Sequence, residues 1–282
     1  MTLLQPRDYN GLRQRGKAIS APLLAFEPDF EAQQKIGGMG ITVSSNQPIA
    51  LVNDNEGSLF EFKQHYDKVV VTSENLYRDA SWTESVDSPV FASGAIGTVF
   101  TTDVMSIAME SLANVGNGGT LDVDNQPSAV SAIASFAEFV KTALSVKLDI
   151  DPTELRLGRE QVRTSACLTE RIFLADALEN GAGYVRHVSD PAVFERFLLE
   201  QYEVLKEKWE DHHHSAVCDV ACPDCLRNYG NRWEHKHLDW RLALDMAELC
   251  LGLEFDEVYS RTNTSYKPIK HYYRPETNAW KW

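Results

Sequence analysis

His214-Ser-Ala-Val-Cys218-Asp-Val-Ala-Cys222-Pro-Asp-Cys225 places three thiols and an imidazole within twelve residues. A tetrahedral Zn²⁺ takes four N or S ligands at about 2.0–2.3 Å, and a C-x2-C turn delivers two thiolates to one ion while the flanking chain supplies the rest. Pro223 stiffens that turn. A disulfide framework needs an even set of cysteines in an oxidising compartment. This chain has five cysteines, three of them bunched, and no apolar N-terminal stretch of the signal-peptide kind. A thioredoxin-like redox pair should open a helix after a strand, whereas this run follows a charged helical pattern and carries a third cysteine. The run reads as a zinc site with Cys218, Cys222 and Cys225 as ligands. His214 is the expected fourth ligand by proximity and His235 the alternative, with His212, His213, Cys167 and His237 also competing.

Working outward, 282 residues at 43% hydrophobic are enough for one large core or two smaller ones, so the metal is expected to be a local staple. No run approaches the ~18 continuous apolar residues of a membrane span. The chain is therefore expected to be soluble, without a membrane partner and, with unpaired thiols, cytoplasmic. Its 27 basic and 41 acidic residues give a net charge of −14, which argues against coating nucleic acid by charge alone. Any DNA contact must be local. One basic segment stands out at 259–282, where Arg261, Lys267, Lys270, Arg274 and Lys281 face Glu276 alone and are interleaved with Tyr266, Tyr272, Tyr273, Trp280 and Trp282. Such a mixture can stack bases and neutralise phosphates, but a nucleic-acid footprint should be more basic, so the preferred reading is that its aromatics dock on the body or a partner with the lysines solvated.

Periodicity predicts a mixed α/β (α+β) fold with a sheet-rich first half. Residues 1–44 read as an irregular N-terminal segment, 45–258 as a single mixed domain with the zinc site at 214–235, and 259–282 as a tail. Gly37-Gly-Met-Gly40 reads as a loop, since the Lys and Ser/Thr of a P-loop are missing. Ile49 to Val52 and Leu59 to Phe62, around an Asn53 to Gly57 turn, look like a hairpin. Val69 to Thr72 and the run Ala95 to Met109, interrupted at Gly97 and Asp103, add strands. Ala129, Ile133, Phe136, Ala137, Val140 and Leu144 mark an amphipathic helix over 128–146, expected to cover the sheet. Strands are predicted at Leu155 to Val162 and Arg171 to Leu178. Helices follow from Pro191 to Trp209, capped by Asp190, and from Leu238 to Leu251, packed on a mixed sheet.

Asp176 and Glu179 precede a Gly-rich break, a place where carboxylates often do chemistry in α/β folds. With Asp103 and Asp239 they could form a hard-cation site for phosphodiester cleavage, or Asp176 could simply cap the loop 180–183. Asp239 is expected to cap the last helix and to hold Arg227 or Arg241 in a bidentate pair. Arg227, Arg232 and Lys236 are the basic cluster beside the zinc run and, with Lys267, Lys270 and Arg274, the candidate nucleic-acid contacts. No Ser/His/Asp or Cys/His nucleophile arrangement can be inferred.

Leu174-Ala-Asp-Ala-Leu-Glu-Asn-Gly-Ala-Gly-Tyr184, the Cys218 to Cys225 run continuing as Leu226-Arg-Asn-Tyr229, then Asn231, His235 and Leu238-Asp-Trp-Arg-Leu-Ala-Leu-Asp245 resemble the MrfA-type zinc-binding domain. Within that family they look like the version at the C-terminus of DrmB, the helicase-associated component of DISARM phage-defence systems. Val52-Asn-Asp-Asn-Glu-Gly57, Thr102-Asp-Val104 and Leu148-Asp-Ile-Asp-Pro-Thr-Glu-Leu155 resemble the segment preceding that domain, so the likeness spans roughly 45–252. DrmB-like proteins are longer, and the MrfA version carries four cysteines where three cluster here. The resemblance implies a split subunit, a shortened homologue or a fragment that acts with a helicase. The function expected is a zinc-binding accessory subunit of a helicase-containing antiphage system that assists its partner's engagement of DNA. Two alternatives remain open: a metal-dependent nuclease using Asp103, Asp176, Glu179 and perhaps Asp239, and a stand-alone DNA-binding module.

Overall fold

The structure is a computed structural model of the 282-residue chain and describes residues 2–4, 23–25, 34–36, 39–53, 59–65, 68–72, 89–109, 121–124, 127–165, 167–232, 234–253, 273–274 and 279–280. In chain order the strands are β1 (Thr2–Leu4), β2 (Leu23–Ala25), β3 (Gln34–Ile36), β4 (Met39–Asn53), β5 (Phe60–His65), β6 (Lys68–Thr72), β7 (Val90–Ala108), β8 (Leu155–Arg163), β9 (Leu168–Asp176), β10 (Tyr273–Arg274) and β11 (Ala279–Trp280). The helices are α1 (Pro127–Leu148), α2 (Pro191–Glu210), α3 (His212–Ser215) and α4 (Trp240–Leu251). Two compact units divide the chain, one formed by 1–26 and 48–100, the other by 27–47 and 101–282. Strand β4 begins at Met39.

In the first unit β5 pairs antiparallel with β6 and, across a bulge at Phe62/Lys63, with β7. The hairpin partner of Leu59 to Phe62 is thus Val69 to Thr72, not Ile49 to Val52. The connections at 54–58 and 66–67 both lie outside the described residues. Ala50, Val52 and Ala95 form a small buried cluster with Leu59 against it.

The second unit holds the main core. β7 is one continuous strand through Gly97 and Asp103, not two, and its end pairs antiparallel with β9 (Met105 with Leu174), which pairs in turn with β8 (Leu157 with Leu174). Every described ladder is antiparallel, so the fold is α+β with an antiparallel sheet. β9 is buried from Thr169 to Asp176, as expected of a central strand covered on both faces. Its start lies upstream of the predicted Arg171, because the Thr164 hydroxyl accepts the Cys167 N–H at 3.0 Å and closes the β8–β9 turn there.

The six predicted stripe residues of α1 are fully buried, but so are Ala132, Phe139 and Ala143 on its other sides. α1 is a central core helix packed chiefly on α4, more than a cover for the sheet. It is apolar and long enough to cross a membrane by composition, yet 78% of that window is buried inside the protein. The small residues Ala129, Ala132 and Ala137 permit close approach, and Phe139 meets Trp209 of α2 edge-on at 5.9 Å. Asp190 caps α2 by accepting the Val193 N–H at 3.1 Å, and left-handed Gly252 ends α4.

Candidate metal centre

The centre is built where α2 ends. The carboxylate of Asp211 accepts the His213 N–H at 2.8 Å and starts the single turn α3, which turns His214 back toward the body. The Nδ1–H of His214 donates to the Trp209 carbonyl at 2.8 Å, fixing the tautomer in which Nε2 carries a free lone pair. That Nε2 lies 3.5 Å from Cys222 Sγ. The ring packs on Trp240 at 5.4 Å, which holds its tilt. The Cys218 N–H then donates to the His214 carbonyl at 2.9 Å, so the first thiol arrives one turn after the imidazole.

The C-x2-C turn closes on itself. The Cys222 carbonyl accepts the N–H groups of Cys225 at 3.1 Å and Arg227 at 3.0 Å, while the Cys222 N–H points at Cys225 Sγ, 3.1 Å away. An N–H aimed at sulfur stabilises the thiolate form that a metal requires. Cys218 and Cys225 sulfurs are 3.9 Å apart, and those of Cys225 and Cys222 are 3.8 Å apart. Around an ion with ligands at the usual Zn–S and Zn–N lengths, tetrahedral edges are about 3.8 Å for S–S and about 3.6 Å for S–N. These three spacings match those edges. All four donor atoms of His214, Cys218, Cys222 and Cys225 lie within 4.8 Å of one another, and they form the only such His/Cys/Asp/Glu group found among the described residues. All four positions of a tetrahedral ion would be filled by protein, the arrangement of a structural site.

The first turn of α4 clamps the loop from behind. The Trp240 N–H donates to the Val220 carbonyl at 2.9 Å and its indole N–H to the Cys218 carbonyl at 3.3 Å. The Arg241 guanidinium donates to the Asp219 carbonyl and reaches the Cys218 carbonyl at 3.5 Å. Burial, then the neighbouring thiol of Cys225, pushes the Cys218 thiol well above its ordinary range, and burial raises Cys225 to about 11. A dication bound there would displace the thiol protons.

His235 stands outside this cluster. Its Nε2–H is shared between the Asn228 carbonyl at 3.1 Å and Asn231 Oδ1 at 3.0 Å, so that nitrogen offers no lone pair to a metal. Asn231, one of the residues that carry the family resemblance, also accepts the Asn228 N–H at 2.9 Å through its buried amide and donates to the Leu226 carbonyl at 2.8 Å. Cys167 packs in the β8–β9 turn beside Thr164 and Cys250 is fully buried in α4, while His212 and His213 are exposed.

The four marked carboxylates are not gathered around one point. Asp176 is saturated: Oδ2 accepts the N–H groups of Ala182 at 2.7 Å, Gly183 at 2.6 Å and Tyr184 at 3.1 Å, and Oδ1 that of Val185 at 3.1 Å. Asp103 lies under that loop. A Cβ on Gly181, whose φ is +77°, would come within 2.5 Å of Asp103 Oδ2, so only glycine fits there. Glu179 is exposed. Asp239 caps α4 through the Arg241 N–H at 2.9 Å, with the Arg241 guanidinium 3.8 Å away in a single contact in place of the bidentate pair expected. Burial pushes the Asp239 carboxyl up to about 6, outweighing Arg241 and the helix N–H groups.

Of the basic candidates, Arg227 is half-buried and reaches the His235 carbonyl at 3.5 Å, Arg232 lies over Tyr229, and Lys236 is exposed. Lys267 and Lys270 lie outside the described residues, and Arg274 pairs with Ala279 in the β10–β11 ladder.

Fold and donor set define an α+β protein with a zinc-binding Cys₃His centre. Residues 136–226, which include all four donors, match the family model described as the MrfA Zn-binding domain. Among solved structures the chain is similar to one titled "Crystal Structure of DUF1998 helicase MrfA bound to DNA", with a TM-score of 0.45 and 11% identity over 81% of this chain and 25% of that one. The chain thus spans about a quarter of that protein's length. A search of curated proteins finds no match.

Proposed function

We propose that this chain is a zinc-stapled accessory module that acts with a DNA helicase and helps it engage DNA, within an antiphage system of the DISARM type. The observation that carries the proposal is the match of residues 136–226 to the MrfA Zn-binding domain, a family named after a helicase, with the four-donor cluster inside that range. The resemblance to DrmB-type sequences supports the defence context. His214, Cys218, Cys222 and Cys225 would hold the ion, and the zinc would fix the loop 214–225 against α4. This role leaves Asp176 and Asp239 to their backbone N–H partners and asks no chemistry of them. Free thiols at the centre suit the reducing cytoplasm.

The test is zinc stoichiometry and native mass of the full chain, alone and co-expressed with the helicase of its own defence locus. One zinc per chain and a stable complex are the expected results. A zinc-free protein, or a zinc-loaded one that ignores the helicase and cuts DNA with Mg²⁺ in an Asp176-dependent way, would overturn the reading.

A further inference from the structure

Tyr229 is 83% exposed, the highest exposure among the large hydrophobic side chains described. It sits on a turn whose backbone is tied by Asn231, through the Asn228 N–H and the Leu226 carbonyl, and by His235, through the Asn228 carbonyl. The guanidinium of Arg232 lies over one face of the Tyr229 ring, 4.6 Å from its centre, a cation–π pair that leaves the opposite face for a second planar group. Beside the ring, Gly230 adds no side chain, and a Cβ there would come within 3.0 Å of Asn228 Oδ1. The approach to the ring thus stays low.

The sequence of this turn is basic, opposite in sign to the whole chain. Between residues 226 and 238 stand Arg227, Arg232 and Lys236, and the one acid, Glu234, is held by Arg159 through two contacts of 3.0 Å. On a chain of net charge −14, the segment 226–238 carries three basic residues against one acid, a net +2, with Asp224 and Asp239 just outside it. An aromatic face with adjacent arginines suits unpaired bases, which stack on it while their phosphates meet the cations. A duplex shields its base faces and would use the charges alone.

We infer that Tyr229 and Arg232 form a base-stacking site for single-stranded nucleic acid on the turn that follows the zinc loop. This rests on the reading of the chain as a DNA-engaging module. The site is tested by fluorescence anisotropy of the full zinc-loaded chain with a labelled twenty-nucleotide oligo(dT) and with a duplex of equal length. Zinc content and melting temperature are matched across variants. Tyr229→Ala is expected to weaken oligo(dT) binding about tenfold or more, Tyr229→Phe to stay near wild type, and Arg232→Ala to weaken binding and flatten its salt dependence. Duplex binding should change less in Tyr229→Ala. Equal oligo(dT) affinity in Tyr229→Ala and wild type would overturn the site and leave DNA engagement standing. A wild-type chain that does not bind oligo(dT) also overturns it, and a helicase complex that still needs the chain to hold DNA would then preserve the broader reading. Loss of helicase binding in Tyr229→Ala with oligo(dT) affinity intact would reassign the turn to a protein contact.

Discussion

The Nδ1–H of His214 donates to the carbonyl of Trp209 at 2.8 Å, and this bond decides which ring nitrogen faces the thiols. It couples the last turn of α2 to the metal centre, since Trp209 is itself buried against Phe139 of the core. The imidazole is oriented before any ion arrives, which lowers the ordering cost of binding.

His214→Ala should weaken zinc affinity by at least about a hundredfold, beyond the 10–100-fold typical of losing a supporting partner. His214→Cys should retain the ion, because a fourth thiolate satisfies the same tetrahedral preference. A competition titration with a chromophoric chelator checks both. Equal affinity in His214→Ala and wild type would remove His214 from the centre.

Cys222→Ser should lose zinc and loosen the loop between His214 and His235, whereas Cys167→Ser and Cys250→Ser should keep full metal content. Metal analysis together with hydrogen exchange across 214–235 separates the two classes. If Cys167→Ser lost as much zinc as Cys222→Ser, the cluster would be misassigned.

Asp239 predicts a pH signature. Its carboxyl lies near 6 when folded, above the 3.8 of the free side chain, so between those values the native state binds the extra proton. The penalty is absent below the unfolded value, grows as pH rises toward 6 and is complete above it. It amounts to at most about 3 kcal/mol. Asp239→Asn keeps a capping oxygen without the charge, so denaturant midpoints should fall less from pH 4 to pH 6 than in wild type. Identical slopes would contradict the shift.

Arg159 bridges Glu170 at 2.6 Å and Glu234 at 3.0 Å, tying the β8–β9 hairpin to the turn beyond the zinc loop. Arg159→Ala takes the shared cation from two largely buried carboxylates and should cost about 3–5 kcal/mol in equilibrium unfolding. Arg159→Lys should recover only part of this, because an ammonium cannot serve both carboxylates in the planar fork. A loss below about 1 kcal/mol would show that solvent already screens the pair.

The cluster of His214, Cys218, Cys222 and Cys225 was legible in the sequence because its donors are local. One turn of chain separates His214 from Cys218, and C-x2-C is a self-contained turn, so spacing alone assembles them. The helices were legible for the same reason: the stripe in α1 and the caps Asp190 and Asp239 are short-range signals. Partnerships between distant segments were not. The pairing of β5 with β6, the continuity of β7 through Gly97 and Asp103, and the burial of α1 on nearly every side depend on what else packs there. The same holds for His235 and Asp176, whose types suit a ligand or a catalytic group. Tertiary structure gave one to Asn231 and Asn228 and the other to four backbone N–H groups, because a polar atom taken from water must be satisfied by whatever the fold brings to it.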